Sequence, residues 1–253
     1  MTQRSIIFSL NLIFVVCILI FLSSCSQTKQ RDVKSAEETF NEAMALFKDE
    51  DYLEAEKLFE LIRLQYSASQ YADDAQYYLA ESNYNRREYI YAAYNYNMCR
   101  RIYPHSEYNK PSLFKTGMCY YKISPSYDRD QDYTVKAIQS FSEFQTVYPE
   151  DSLYNEATTY IKELRDKLAH REYFTAELYR KLYSPVSSLI YYDAVINDYP
   201  DTEYYEPAIL GKIEVLIETK RYDEARSLID LYKKLFPGSI NLDKIKNLEQ
   251  LLK

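Results

Sequence analysis

One short signal recurs five times along the chain and leaves little freedom in how it folds. Tyr66-Ser67, Tyr103-Pro104, Tyr148-Pro149, Tyr199-Pro200 and Phe236-Pro237 each close a stretch of helical periodicity. Counting from the second residue of each pair, a small residue lies twelve positions earlier: Ala55, Ala92, Ala137, Ser188 and Ala225. A large residue lies eight earlier (Phe59, Tyr96, Phe141, Tyr192, Ile229), and Ile62, Cys99, Phe144, Val195 and Tyr232 lie five earlier. Offsets of four and seven put all three on one helix face. Proline lacks the N–H and pushes the residue before it out of helical geometry, so Pro104, Pro149, Pro200 and Pro237 are stop signals. A polar turn and a further helical run follow each stop, which predicts helix–turn–helix units 37, 45, 51 and 37 residues apart.

The pattern resembles the tetratricopeptide repeat, which carries Ala, Phe and Pro in these relative places. The first helices fit as well, with Ala43, Ala80 and Gly117 each 37 residues apart where that repeat wants a small side chain. The expected fold is all-α: a solenoid of five such helix pairs over residues 36–237, with a capping helix in residues 240–253. Units one to three fill residues 36–152, and units four and five with the cap fill residues 153–253. Only 3 glycines in 253 residues agrees with this. A glycine-rich phosphate cradle, a dinucleotide fingerprint or a turn-dense barrel needs more. Two departures stand out. Unit three carries an insertion, residues 123–132, whose proline and acidic residues read as a surface loop. Residues 153–183 lack proline and glycine, so one long helix or a broken pair runs there.

The first 25 residues read as an address. Arg4 is followed by an apolar run to Leu22 and then by Ser23-Ser24-Cys25. The ending resembles the bacterial lipobox, in which the cysteine is acylated and becomes the first mature residue. Residues 1–24 are then a signal peptide, Cys25 is the lipidation site, and residues 25–35 are a polar tether; an uncleaved membrane anchor with Cys25 an ordinary thiol is the rival reading. Ser26 rather than Asp resembles the outer-membrane sorting signal. With Cys17 removed and Cys25 acylated, Cys99 and Cys119 remain. An oxidising compartment permits a bridge between them, and their apolar helical settings equally suit buried thiols.

Catalytic chemistry is missing. His105 sits in a turn beside Ser106 without an orienting third group, and His170 lies on a charged helical stretch. Two scattered histidines and two cysteines form no zinc pattern. No metal or cofactor is expected. The net charge of −7 and the absence of a basic block argue against nucleic acid.

What remains is a binding surface. In the first helices, Phe40, Tyr77 and Phe114 recur at a period of 37, as do Phe47, Tyr84 and Tyr121 seven residues on. These six rings either line a concave groove suited to an extended peptide or belong to the core between helices. Unit five has Leu210 and Ile217 in the matching places, so an aromatic groove belongs to the first three units.

The run Leu164-Arg165-Asp166-Lys167-Leu168-Ala169-His170-Arg171-Glu172-Tyr173, continued by Ala176-Glu177-Leu178-Tyr179 and Asn197-Asp198-Tyr199-Pro200-Asp201-Thr202, is similar to the BamD (YfiO) family. These are lipoproteins of the outer-membrane β-barrel assembly machinery. The resemblance implies a non-enzymatic scaffold anchored in the outer membrane and facing the periplasm. It implies docking on the periplasmic part of a BamA-like barrel protein through the C-terminal repeats. It also implies that the N-terminal repeats receive unfolded outer-membrane proteins. Another periplasmic tetratricopeptide lipoprotein, coordinating cell-wall or division complexes, is the rival reading.

Overall fold

A computed structural model describes residues 34–252. The address segment, with Cys25 and most of the tether, lies outside the described residues. The described chain is built of eleven helices: α1 (Ala36–Lys48), α2 (Tyr52–Gln65), α3 (Ala72–Asn85), α4 (Tyr89–Ile102), α5 (Asn109–Ile123), α6 (Asp132–Val147), α7 (Tyr154–Lys181), α8 (Pro185–Asp198), α9 (Tyr205–Glu218), α10 (Tyr222–Leu235) and α11 (Leu242–Gln250). Consecutive helices pack on one another, as the repeat requires. Helices α1/α2, α3/α4, α5/α6, α7/α8 and α9/α10 are the five pairs and α11 is the cap.

Every residue at the three repeat offsets is buried, from Ala55, Phe59 and Ile62 to Ala225, Ile229 and Tyr232. The small residues of the first helices, Ala43 and Ala80, are buried too, and Gly117 is tighter still. A Cβ there would stand 2.8 Å from the ring of Phe141. The identity of the large residue follows its neighbour. Where it is Phe59 or Phe141, Met44 or Met118 packs in the same cluster. Where it is tyrosine, the same register position is a glutamate: Tyr96 donates to Glu81 at 2.5 Å, and Tyr192 donates to Glu177. A buried phenol needs an acceptor and a buried phenyl does not.

The turns explain the glycine shortage. Within four pairs the first helix ends in a residue of left-handed backbone: Glu50 (φ 62°), Arg87 (φ 63°), Tyr183 (φ 56°) and Lys220 (φ 60°). Each turn closes with the same two hydrogen bonds, as in Asp51 N–H to Leu46 C=O at 2.9 Å and Glu50 N–H to Phe47 C=O at 3.2 Å. This geometry normally selects glycine. Here the packing of the two helices imposes it on residues with side chains. Exposed Arg87 forms no ion pair among the described residues. Arg87→Gly is therefore expected to raise stability by about 0.5–1 kcal/mol, read as a higher urea midpoint at unchanged slope. A lower midpoint would contradict this account of the turn.

Residues 153–183 contain one helix, not two: α7 runs unbroken for 28 residues. Its first half (Ala157, Leu164) joins the core of α5 and α6, and its second half (Ala176) joins the core of α8 to α11. The insertion in unit three is a surface loop, with Ser126, Asp128, Arg129 and Asp130 exposed, and it is anchored at two points. Gln131 is buried, its amide bonding the carbonyls of Ser126 (2.8 Å) and Arg129 (2.9 Å), and Tyr127 packs back onto α7. Cys99 and Cys119 are both free and buried. Burial pushes the Cys99 thiol up to about 11 and raises that of Cys119 as well, so both are inert thiols at neutral pH.

Candidate functional site

The six rings predicted from the first helices lie where the units meet, and the structure divides them. Phe114 is buried, covered by Phe141 (5.5 Å), Phe144 (5.2 Å) and Tyr160 (6.5 Å). Phe40, Phe47, Tyr77, Tyr84 and Tyr121 are half-buried. Phe40 stacks on Tyr71 at 5.0 Å, and Phe47 meets Tyr52 and Tyr78, each at 5.3 Å. Tyr77 stacks on Tyr108 at 4.4 Å. Tyr84 packs edge-on against Tyr89 at 5.3 Å with the Lys115 ammonium 4.4 Å above its ring. Tyr121 leans on Tyr160 at 4.6 Å and donates its hydroxyl to Glu163 at 2.6 Å.

The electrostatics keep these phenols neutral. Burial, with Glu81 beside it, raises Tyr77 far above its ordinary value. Burial pushes Tyr84 up to about 12, and the hydrogen bond to Glu163 raises Tyr121. Glu81 ties the region together, accepting from Tyr96 and pairing with Lys115 at 3.3 Å. The result is a row of neutral, half-buried rings across units one to three. Among the described residues there is no group of His, Cys, Asp or Glu able to hold a metal ion, and no helix long and apolar enough to cross a membrane.

The sequence reading missed one member of the series. In unit four the matching positions are Tyr173, Ala176 and Arg180, which lie in the second half of α7. Counting forward from Pro149 hides them, because α7 is too long. Counting back from Pro200 gives them at once. They form a different surface. Arg180 pairs with Glu214 and, at 2.6 Å, with Glu218, while Lys244 reaches Glu214 at 2.5 Å. The matching positions thus change from aromatic in units one to three to Tyr173 and Arg180 in unit four and Leu210 and Ile217 in unit five, and an ionic cluster built on Arg180 lies beside them. His170 takes no part in catalysis-like geometry; it lies between the rings of Tyr127 (4.0 Å) and Tyr204 (5.0 Å).

Comparison with known proteins decides the family. The family described as YfiO, outer membrane lipoprotein, matches residues 32–227. The chain belongs to the YfiO family. That places this YfiO protein at the outer membrane and makes it a non-enzymatic scaffold. It is 24% identical over 249 residues to the outer membrane protein assembly factor BamD of Neisseria meningitidis, with 90% of this chain and 92% of that one covered. It is 22% identical over 128 residues to the BamD of Rickettsia prowazekii, spanning 51% of each chain. Among solved structures, a tetratricopeptide protein of Thermus thermophilus covers 86% of this chain and 99% of its own, at 15% identity and a TM-score of 0.37.

Proposed function

We propose that this YfiO-family chain works in assembling outer-membrane proteins, as a scaffold that holds an unfolded client and the insertion machinery together. The family match over residues 32–227 carries this reading. In it, Cys25 is acylated and holds the protein to the membrane from the periplasmic side. The C-terminal repeats dock on the periplasmic region of a BamA-like barrel protein. The N-terminal repeats receive the client, and the strip of Phe40, Phe47, Tyr77, Tyr84 and Tyr121, backed by Phe114, is the receiving surface. An unfolded β-barrel strand alternates apolar and polar side chains. Apolar residues on one side of such a strand suit a row of aromatic edges spaced one unit apart. Affinity purification of the lipidated protein from membranes tests the assembly role. Co-purification of a barrel protein with a large periplasmic region supports it, and recovery of cell-wall or division proteins alone overturns it.

The strip is tested separately. Tyr84→Ala with Tyr121→Ala removes two half-buried rings and leaves the repeat core in place. Binding of a fluorescent peptide copied from the C-terminal strand of an outer-membrane protein should weaken roughly tenfold or more. Unchanged affinity, with helical content preserved, would remove the strip from the mechanism.

A further inference from the structure

The register shows one surface that the solenoid leaves uncovered. Relative to the small residue of each first helix, the positions five before, two before, two after and six after share a face that packs on the preceding unit. In unit two these are Ala75, Tyr78, Ser82 and Arg86; in unit three, Ser112, Lys115, Cys119 and Ile123. In unit five they are Ala208, Gly211, Val215 and Thr219. The first and third of each set are buried: Ala75 in the cluster of α1 and α2, Cys119 in that of α4, and Ala208 and Val215 in that of α8. The cap does the same with buried Ile245 and Leu252. In unit one, where nothing precedes, the positions are Glu38, Asn41, Ala45 and Asp49, a polar end.

Unit four breaks the rule. Its set is Arg171, Phe174, Leu178 and Leu182. The three apolar side chains are 47%, 45% and 63% exposed. The cause is α7 itself. Its first half takes the place beside α6, and the chain runs straight on, so no helix pair stands in front of the second half. The insertion of unit three covers only the beginning of the face. Tyr127 lies over His170 and meets Phe174 edge-on at 5.4 Å, and Lys167 donates to Ser124 at 2.7 Å. Leu178 and Leu182 stay open.

We propose that this face of α7 is a docking site for an amphipathic helix with acidic flanks, supplied by another protein. Helices are what cover the same positions in units two, three and five, and three large apolar side chains stand here where the uncovered end of unit one has Glu38, Asn41 and Asp49. Charge complementarity sets the flanks. Arg171 and Lys181 border the stripe, both exposed, and neither pairs with an acid among the described residues. Nearby Arg180, by contrast, is held by Glu214 and Glu218. An arriving helix would place its apolar side chains on Leu178 and Leu182 and its carboxylates beside the two free cations.

The test uses the full lipidated chain in membranes, with a photoreactive residue at Leu178 or Leu182 and a control at exposed Lys48. After irradiation, the adducts are mapped to the peptide by mass spectrometry. The expected result is an adduct from α7 and not from Lys48, mapping to a helical segment with acidic flanks in a different protein. Arg171→Glu with Lys181→Glu, both exposed, should lower the yield roughly tenfold without change in helical content. Adducts only with phospholipid, only with a second copy of this chain, or with no partner would overturn the proposal, as would a yield indifferent to the charge reversal. Because the aromatic strip is left intact, failure here does not touch the peptide-receiving reading, which has its own readout.

Discussion

Gly211→Leu should unfold the C-terminal units, at a cost of roughly 3 kcal/mol or more. A Cβ at Gly211 would stand 2.5 Å from both Cζ and the hydroxyl oxygen of Tyr192. That ring has nowhere to go. Tyr192 is fully buried, its hydroxyl is bonded to Glu177, and Val195 and Ala208 share its cluster. A side chain at 211 must push the phenol away from its acceptor, so overpacking and the loss of a buried hydrogen bond act together. A double-mutant cycle separates this from a general intolerance of α9. Tyr192→Leu alone opens a cavity at about 2–4 kcal/mol. Adding Gly211→Ala to it should cost far less than Gly211→Ala alone, a coupling of about 1–3 kcal/mol. Gly238→Ala is the control, with no atom within 4 Å of the added methyl, and it should stay within ~0.5 kcal/mol. Strict additivity in urea denaturation would refute the assigned contact.

That glycine shows where reading by register stops. The repeat positions were legible because each is a one-helix pattern. Three offsets from a tyrosine–proline stop identify Ala92, Tyr96 and Cys99, and all three are buried. Gly211 is not in the small-residue slot of its own helix, which belongs to Ile213. Its need arises from Tyr192 in the preceding unit, a contact between helices that no intra-helix spacing encodes. The length of α7 was visible as a stretch without helix breakers, yet its consequence was not. The exposed face of Phe174, Leu178 and Leu182 reads as an ordinary buried stripe until the missing helix pair in front of it is seen. The period of 37 in the six rings was legible in the sequence, whereas the partition between buried Phe114 and the half-buried rest depends on neighbours in other helices, such as Phe144 and Tyr160.

Ala169→Pro should uncouple the two ends of the solenoid. Ala169 is buried near the middle of α7, where proline removes the N–H that bonds the carbonyl of Arg165 and clashes with that carbonyl, at about 3 kcal/mol or more. The site matters more than the sum. Two residues before it, Lys167 reaches back to Ser124 in the unit-three insertion. Four residues before it, Arg165 reaches forward, bonding Asp201 at 2.7 Å and the Asp198 carbonyl at 2.8 Å beside the ring of Tyr199. This pairing also holds the Asp201 carboxyl below the usual carboxylate range. In a repeat array, stability is a sum of unit terms and nearest-neighbour terms, and cooperativity lives in the latter. Among the described residues α7 is the one element shared by the cores on either side, so it carries the neighbour term between units three and four. A kink there should leave each half folded but split one unfolding transition into two. Hydrogen exchange resolved by segment would show α8 to α11 opening independently of α1 to α6. A single transition displaced by less than ~1 kcal/mol would mean that α7 merely spans the halves and does not couple them. If it does couple them, a client held on units one to three and a partner held on units four and five sit on one rigid rod. The variant should then keep each separate binding while losing assembly activity in cells.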